Sequence, residues 1–171
     1  ARETVRSFNY RYNTNVLIEP QMKNTVIPKV LGIDGVEKMS KSLDNHIELA
    51  ATPEETQKRV MQMVTDPQRM RRTDPGRPEV CNVFSMHKIF SPAEEVAMID
   101  IECRRAGIGC VDCKKRFAAN LNAHLAPFRE RRNELAKDME AVQAVLDDGA
   151  ARAREIAEQT MREVRAAVGL P

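Results

Sequence analysis

Tryptophan is absent from this chain of 171 residues, and aromatic side chains make up only 4% of it. A nucleic-acid surface built from such a sequence would have to stack bases on arginine planes or backbone groups. Long apolar runs are missing too: none approaches the roughly 20 residues that a membrane-spanning helix needs. The opening residues lack the pattern of a secretory signal, so no membrane is expected and a cytoplasmic setting is. Neither sign of charge dominates, with 27 Lys and Arg against 25 Asp and Glu, and the total does not announce a polyanion binder. The distribution is less even. Between 58 and 88, seven Lys or Arg face three Asp or Glu, a local excess of +4. A hydrophobic share of 42% with 30% charged residues suits one core or two small ones.

Strand signals are also scarce. Only 17–19 and 26–31 read as extended, whereas helix signals recur. Thr52-Pro53-Glu54-Glu55 sets a capping hydroxyl before a proline at the first helical position and a glutamate three residues after the cap, and Ser91-Pro92-Ala93-Glu94 repeats the device. The first helix is expected to run to about Thr65 and the second to Ala106, with Gly107 as its stop. A third, from Val111, carries Cys113, Phe117, Leu121 and Leu125 on one face. A fourth, from about Pro127, carries Leu135, Met139, Val142 and Leu146. Asp147-Asp148-Gly149 is expected to break the chain before a last helix with Ala153, Ala157, Met161, Val164 and Val168 inward. The first residues read as a helix already under way, and 66–78 as a loop rich in Arg, Pro and Asp.

Two constellations carry chemistry. Lys38-Met39-Ser40-Lys41-Ser42 follows Gly32-Ile33-Asp34-Gly35: two ammonium groups three residues apart can converge on a polyphosphate, two hydroxyls add hydrogen bonds, and the glycines let the backbone turn sharply. A lone Lys-x-x-Lys pair is common in polar loops; the full pentapeptide is far more specific. The second constellation is Cys81, Cys103, Cys110 and Cys113, spaced C-x21-C-x6-C-x2-C. Four thiols gathered in one window suggest a shared metal, either zinc or a [4Fe-4S] cluster, and spacing does not choose between them. Cys110 and Cys113 open a helix whose amide dipoles favour thiolate.

The lysine pentapeptide resembles the second signature of class I aminoacyl-tRNA synthetases. Arg6-Ser7-Phe8-Asn9, the run from Pro28 to Gly35, and Asn45-His46-Ile47-Glu48-Leu49 are similar to its surroundings in tryptophanyl-tRNA synthetases. So are Thr65-Asp66-Pro67, Cys110-Val111-Asp112-Cys113-Lys114, Pro127-Phe128-Arg129-Glu130-Arg131-Arg132 and Gly149-Ala150-Ala151-Arg152-Ala153-Arg154. None of His46, His87 or His124 sits in a context like the family's first, His-Ile-Gly-His-like signature. The resemblance therefore implies the C-terminal part of a bacterial enzyme, with a remnant of the Rossmann catalytic domain over 1–50 and an all-helical anticodon-binding domain over 51–171.

The fold class expected is mainly α, a helical bundle with a short α/β remnant. In the intact enzyme, ATP with Mg2+ would adenylate tryptophan before its transfer to tRNA, with Lys38, Ser40 and Lys41 acting on the phosphates and Met39 and Ser42 completing the loop. The fragment alone is expected to be inactive, and its parent a homodimer. A subset of the family holds a [4Fe-4S] cluster on a cysteine quartet of this layout, with one more residue in the first gap, so the resemblance favours that cluster, with zinc as the alternative. Arg104, Arg105, Lys114, Lys115 and Arg116 flank the quartet and are either a solvated face or a contact for the tRNA anticodon arm. The rival readings are a tyrosyl-tRNA synthetase fragment and a non-catalytic RNA-binding iron-sulfur or zinc module.

Overall fold

The computed structural model describes residues 1–25, 27 and 29–171. Six α-helices occur among the described residues: α1 Arg2–Arg11, α2 Pro53–Gln62, α3 Asn82–Phe90, α4 Ala93–Arg104, α5 Cys110–Leu135 and α6 Met139–Val168. Among the described residues there is no strand, only an isolated antiparallel bridge between Leu31 and Lys38. The extended remnant expected over 17–19 is irregular; that over 26–31 includes Val26 and Pro28, which lie outside the described residues. No described helix is long and apolar enough to cross a membrane. The chain divides into two compact units, one of 1–26 with 135–171 and one of 27–134, so the lysine loop shares a unit with α2 to α4 and most of α5.

In the larger unit, Thr52 caps α2 as its sequence demands. Its hydroxyl accepts from the Glu55 amide at 3.2 Å while the Glu55 carboxylate accepts from the Thr52 amide at 2.8 Å. α2 stops at Gln62 rather than Thr65. α3 was not signalled by a cap and is recognisable mainly by its burial of Val83, Phe84, Met86 and His87. The expected cap on α4 does not form: Ser91 ends α3, and its hydroxyl is taken by His87 and Asn120 instead. α4 ends at Arg104, and Ala106, not Gly107, adopts the left-handed conformation at φ 58°. Phe117, Leu121 and Leu125 of α5 join Val60, Met63, Val83 and Ile99 in the core, as the four-residue spacing predicts.

Pro127 does not start a helix but lies inside α5. It removes one backbone bond, and the next turn is held from outside: Arg129 donates to the buried Thr56 hydroxyl at 2.7 Å, to the Leu49 carbonyl at 3.2 Å and to Asn122 at 2.8 Å.

In the smaller unit, α1 is tied to the segment that follows it. Asn9 donates to the Leu17 carbonyl at 2.7 Å and accepts from its amide at 3.3 Å, and Arg6 donates to Glu19. α6 runs through Asp147-Asp148-Gly149 without a break. Asp138 caps its start, accepting from the Ala141 amide at 2.9 Å, and Gly169 ends it at φ 77°. Between them alanines favour helix, and one interior glycine costs only about 1 kcal/mol. The inward stripe expected on α6 is not buried: the helix has no buried residue, and Met139, Leu146 and Met161 are exposed. Among the described residues, beyond its chain neighbours and the helix's own backbone, nothing lies within 4 Å of where a Cβ on Gly149 would stand. Gly149→Ala should therefore raise stability by about 0.5–1 kcal/mol, read as a higher denaturant midpoint; a lower midpoint would show that α6 is not continuous there.

Candidate functional site

The lysine loop is built on a single buried amide. The Asn45 side chain accepts from the Ser40 amide at 2.7 Å and donates to Asp34 at 2.7 Å and to the Lys38 carbonyl at 3.2 Å, while the Asn45 backbone carbonyl accepts from the Ile33 amide at 2.8 Å. Asp34 in turn accepts from Val36 at 2.9 Å and Glu37 at 3.2 Å, and those amides together with Asn45 hold its carboxyl below the usual range. Gly32 makes this possible: a Cβ there would stand 2.4 Å from Asn45. The Gly32 carbonyl accepts from buried Asn82 at 2.7 Å, anchoring the loop to α3. Gly35 turns the chain at φ 70°.

On this frame Lys38, Lys41 and Ser42 are exposed and Met39 and Ser40 half-buried. The two serine hydroxyls lie 2.8 Å apart. Lys41 lies 3.8 Å from Glu48 in an exposed, weak pair. Beyond the loop, Arg59 of α2 donates to Asp44 and to the His46 carbonyl at 3.1 and 3.2 Å, fixing the exit. The arrangement leaves two exposed ammonium groups on a hydrogen-bonded base, a combination able to meet a polyphosphate. Asn45, Asp34 and Asn82 carry no motif chemistry of their own; their supporting roles come from contacts across the fold, such as Asn45 to Asp34 and Asn82 to Gly32.

The four cysteines are unpaired thiols, with Cys113 buried and the others half-buried. They gather closely enough for each of Cys81, Cys103 and Cys110 to disfavour the Cys113 thiolate. Burial adds a larger effect, and the Cys113 thiol is pushed up to about 12. Burial also raises Cys81, against the amides of Phe84, Val83 and Asp66, and raises Cys103, against the charge of Arg69. Arg69 donates to Cys103 Sγ at 3.7 Å and to the carbonyls of Arg72 and Ile108 at 3.0 and 2.8 Å. Gly76 admits the sulfur: a Cβ there would stand 2.4 Å from Cys103 Sγ, and its amide donates to the Cys103 carbonyl at 2.9 Å. Among the described residues, no three Cys, His, Asp or Glu side chains are arranged to hold a metal ion.

The loop over 66–78 is pinned beside this site by an ion pair. Buried Asp66 accepts from Arg77 through Nε at 3.1 Å, the guanidinium at 2.6 Å and the amide at 3.0 Å, and from the Gln68 amide at 3.0 Å. The Arg77 side chain, more than any other group, holds the Asp66 carboxyl far below the usual range. A carboxyl depressed in the folded state stabilises above its unfolded value, near 4, and loses that contribution as pH falls towards the folded value. Asp66→Asn should cost about 1.5–3 kcal/mol at pH 7 and lessen the fall in stability below pH ~4; denaturant unfolding at several pH values reads both, and an unchanged profile would rule out this pair as the loop's anchor.

The five cations expected to meet RNA are differently engaged. Arg104 pairs with Asp100 and Glu79, both at 3.1 Å, Arg105 with Glu102, and Arg116 with Glu95 at 3.6 Å. Lys114 donates to the Met61 carbonyl at 2.9 Å near the end of α2. Lys115 is exposed, as are Arg71 and Arg72 on the neighbouring loop.

Residues 1–126 match the family model described as tRNA synthetases class I (W and Y). The chain belongs to that family. Among curated members, tryptophan–tRNA ligase of Aquifex aeolicus is 46% identical over 172 residues, covering 100% of this chain and 43% of the relative. That of Thermotoga maritima is 43% identical, covering 99% and 51%. The chain thus spans about half the length of the curated relatives it matches. The crystal structure of tryptophanyl-tRNA synthetase from Campylobacter jejuni, complexed with ADP and tryptophan, superposes with a TM-score of 0.78 at 29% identity over 99% of this chain and 52% of that one. Mainly helical architecture is common to the class I synthetase match and to this chain, as the resemblance led one to expect.

Proposed function

We propose that this segment supplies the ATP-phosphate loop and the anticodon-binding helices of a bacterial tryptophan–tRNA ligase, which adenylates tryptophan with ATP and Mg2+ and then transfers it to tRNA. The carrying observation is the lysine loop: two exposed ammonium groups on a base fixed by Asn45, in a chain whose curated relatives are tryptophan–tRNA ligases. Lys38 and Lys41 neutralise charge developing on the leaving pyrophosphate, the kind of electrostatic stabilisation that acts most strongly in the transition state. Ser40 and Ser42 shape the loop, and Met39 packs it against the core. The ligase acts as a homodimer in the cytoplasm.

In this reading the anticodon arm lies along the cysteine-bearing end, where Lys115, Arg71 and Arg72 offer exposed cations and Arg104, Arg105 and Arg116 can exchange carboxylate partners for phosphate. Cys81, Cys103, Cys110 and Cys113 hold a [4Fe-4S] cluster. The donor set supports this reading: four unpaired thiols with no nitrogen or oxygen ligand among them suit an iron–sulfur centre, with zinc as the alternative. When bound, the cluster supplies an electron-accepting, structure-stabilising centre. The intact ligase should charge bacterial tRNA with labelled tryptophan; charging with tyrosine instead would favour the tyrosyl-specific reading.

A further inference from the structure

His87 is fully buried in α3. Its environment fixes which of its nitrogens carries hydrogen. The Asn120 amide donates to a Glu95 carboxylate oxygen at 2.6 Å, an atom that can only accept, so the nitrogen end of that amide faces this way. The same nitrogen donates to Ser91 Oγ at 2.8 Å. Ser91 Oγ lies 2.7 Å from His87 Nδ1, and among the described residues no other acceptor is recorded for its hydroxyl hydrogen. Ser91 therefore donates to Nδ1, leaving the ring hydrogen on Nε2. The other side of the ring agrees independently: Nε2 lies 3.2 Å from the Cys113 carbonyl oxygen, which can only accept, and 3.5 Å from Cys113 Sγ. Phe117 packs edge-on against the ring, with centroids 5.2 Å apart.

We infer that the chain Glu95, Asn120, Ser91, His87 is a positioning relay that holds one N–H shared between the Cys113 carbonyl oxygen and the Cys113 sulfur, and so reaches whatever that sulfur binds. Hydrogen bonds to cysteine sulfur are among the factors that set the reduction potential of iron–sulfur centres, and groups supporting metal ligands commonly tune them in this way. This inference rests on the cluster reading of the quartet. It also accounts for Ser91 failing to cap α4: its hydroxyl serves the relay.

The test uses anaerobically purified ligase, titrated with dithionite in the presence of redox mediators. His87→Phe, which keeps the packing and removes the donor, should move the midpoint potential of the cluster to a more negative value. His87→Gln, which retains a donor, should restore part of the shift, and Ser91→Ala should shift it in the same direction as His87→Phe but less. Iron and sulfide content must match wild type. Unchanged potentials in all three variants, with full iron and sulfide, would overturn the relay. Should His87→Phe fail to fold, the Ser91→Ala and His87→Gln comparison decides. Should wild-type protein bind no iron or sulfide, the cluster reading falls by itself; the relay is then decided by 15N NMR of the His87 ring in the metal-free protein, where hydrogen on Nε2 supports it and hydrogen on Nδ1 overturns it.

Discussion

Lys41→Ala in the ligase that carries this segment is expected to slow tryptophan-dependent ATP–pyrophosphate exchange by at least about tenfold, the scale of one lost transition-state contact, while leaving tryptophan affinity nearly unchanged. The effect should be chemical rather than structural. Lys41 is exposed, it pairs with Glu48 at 3.8 Å, and such surface pairs contribute little to stability. Gly32→Ala provides the complementary experiment, because it keeps both lysines and disturbs their base: the added methyl would stand 2.4 Å from Asn45, which holds Ser40 and Lys38 in place. Exchange should fall in that variant too. Normal exchange in Lys41→Ala would remove the loop from the reaction.

The second large effect is expected at the cysteines. Anaerobically purified protein should be brown, with broad absorbance near ~400 nm from sulfur-to-iron charge transfer, and Cys110→Ser or Cys113→Ser should abolish it. With Cys113 pushed up to about 12 in the metal-free site, loading must release thiol protons, so cluster retention should weaken as pH falls. Unfolding should shift to lower denaturant in the cysteine variants, since ligands joined through a metal stabilise the folded state. A colourless protein with one stoichiometric zinc would contradict the cluster.

Local signals were legible in the sequence where they met no competing partner. Thr52 had no other demand on its hydroxyl and formed its capping box; Ser91, with the same motif, sits beside His87 and Asn120 and was diverted. Pro127 and Gly149 are breakers by propensity, yet the first is overruled by the contacts of Arg129 to Thr56 and Leu49 and the second by an alanine-rich helix around it. The four-residue stripe of α5 was readable because Phe117, Leu121 and Leu125 do enter the core, whereas the helical spacing of apolar residues on α6 leads to no buried residue. At the site, the pentapeptide and the quartet announced themselves by composition. Their supports did not: Asn45, Gly32, Gly76 and His87 gain their roles from residues up to 50 positions away, as in the bond from Asn82 to Gly32, and no local pattern encodes such partners.

Amino-acid dependence of ATP–pyrophosphate exchange by the wild-type ligase tests the central claim most directly, because it asks at once whether the lysine loop serves adenylation and for which substrate. Exchange stimulated by tryptophan and not by tyrosine is the expected result. Exchange stimulated by tyrosine alone, or by neither amino acid in protein with intact ATP binding, would contradict it.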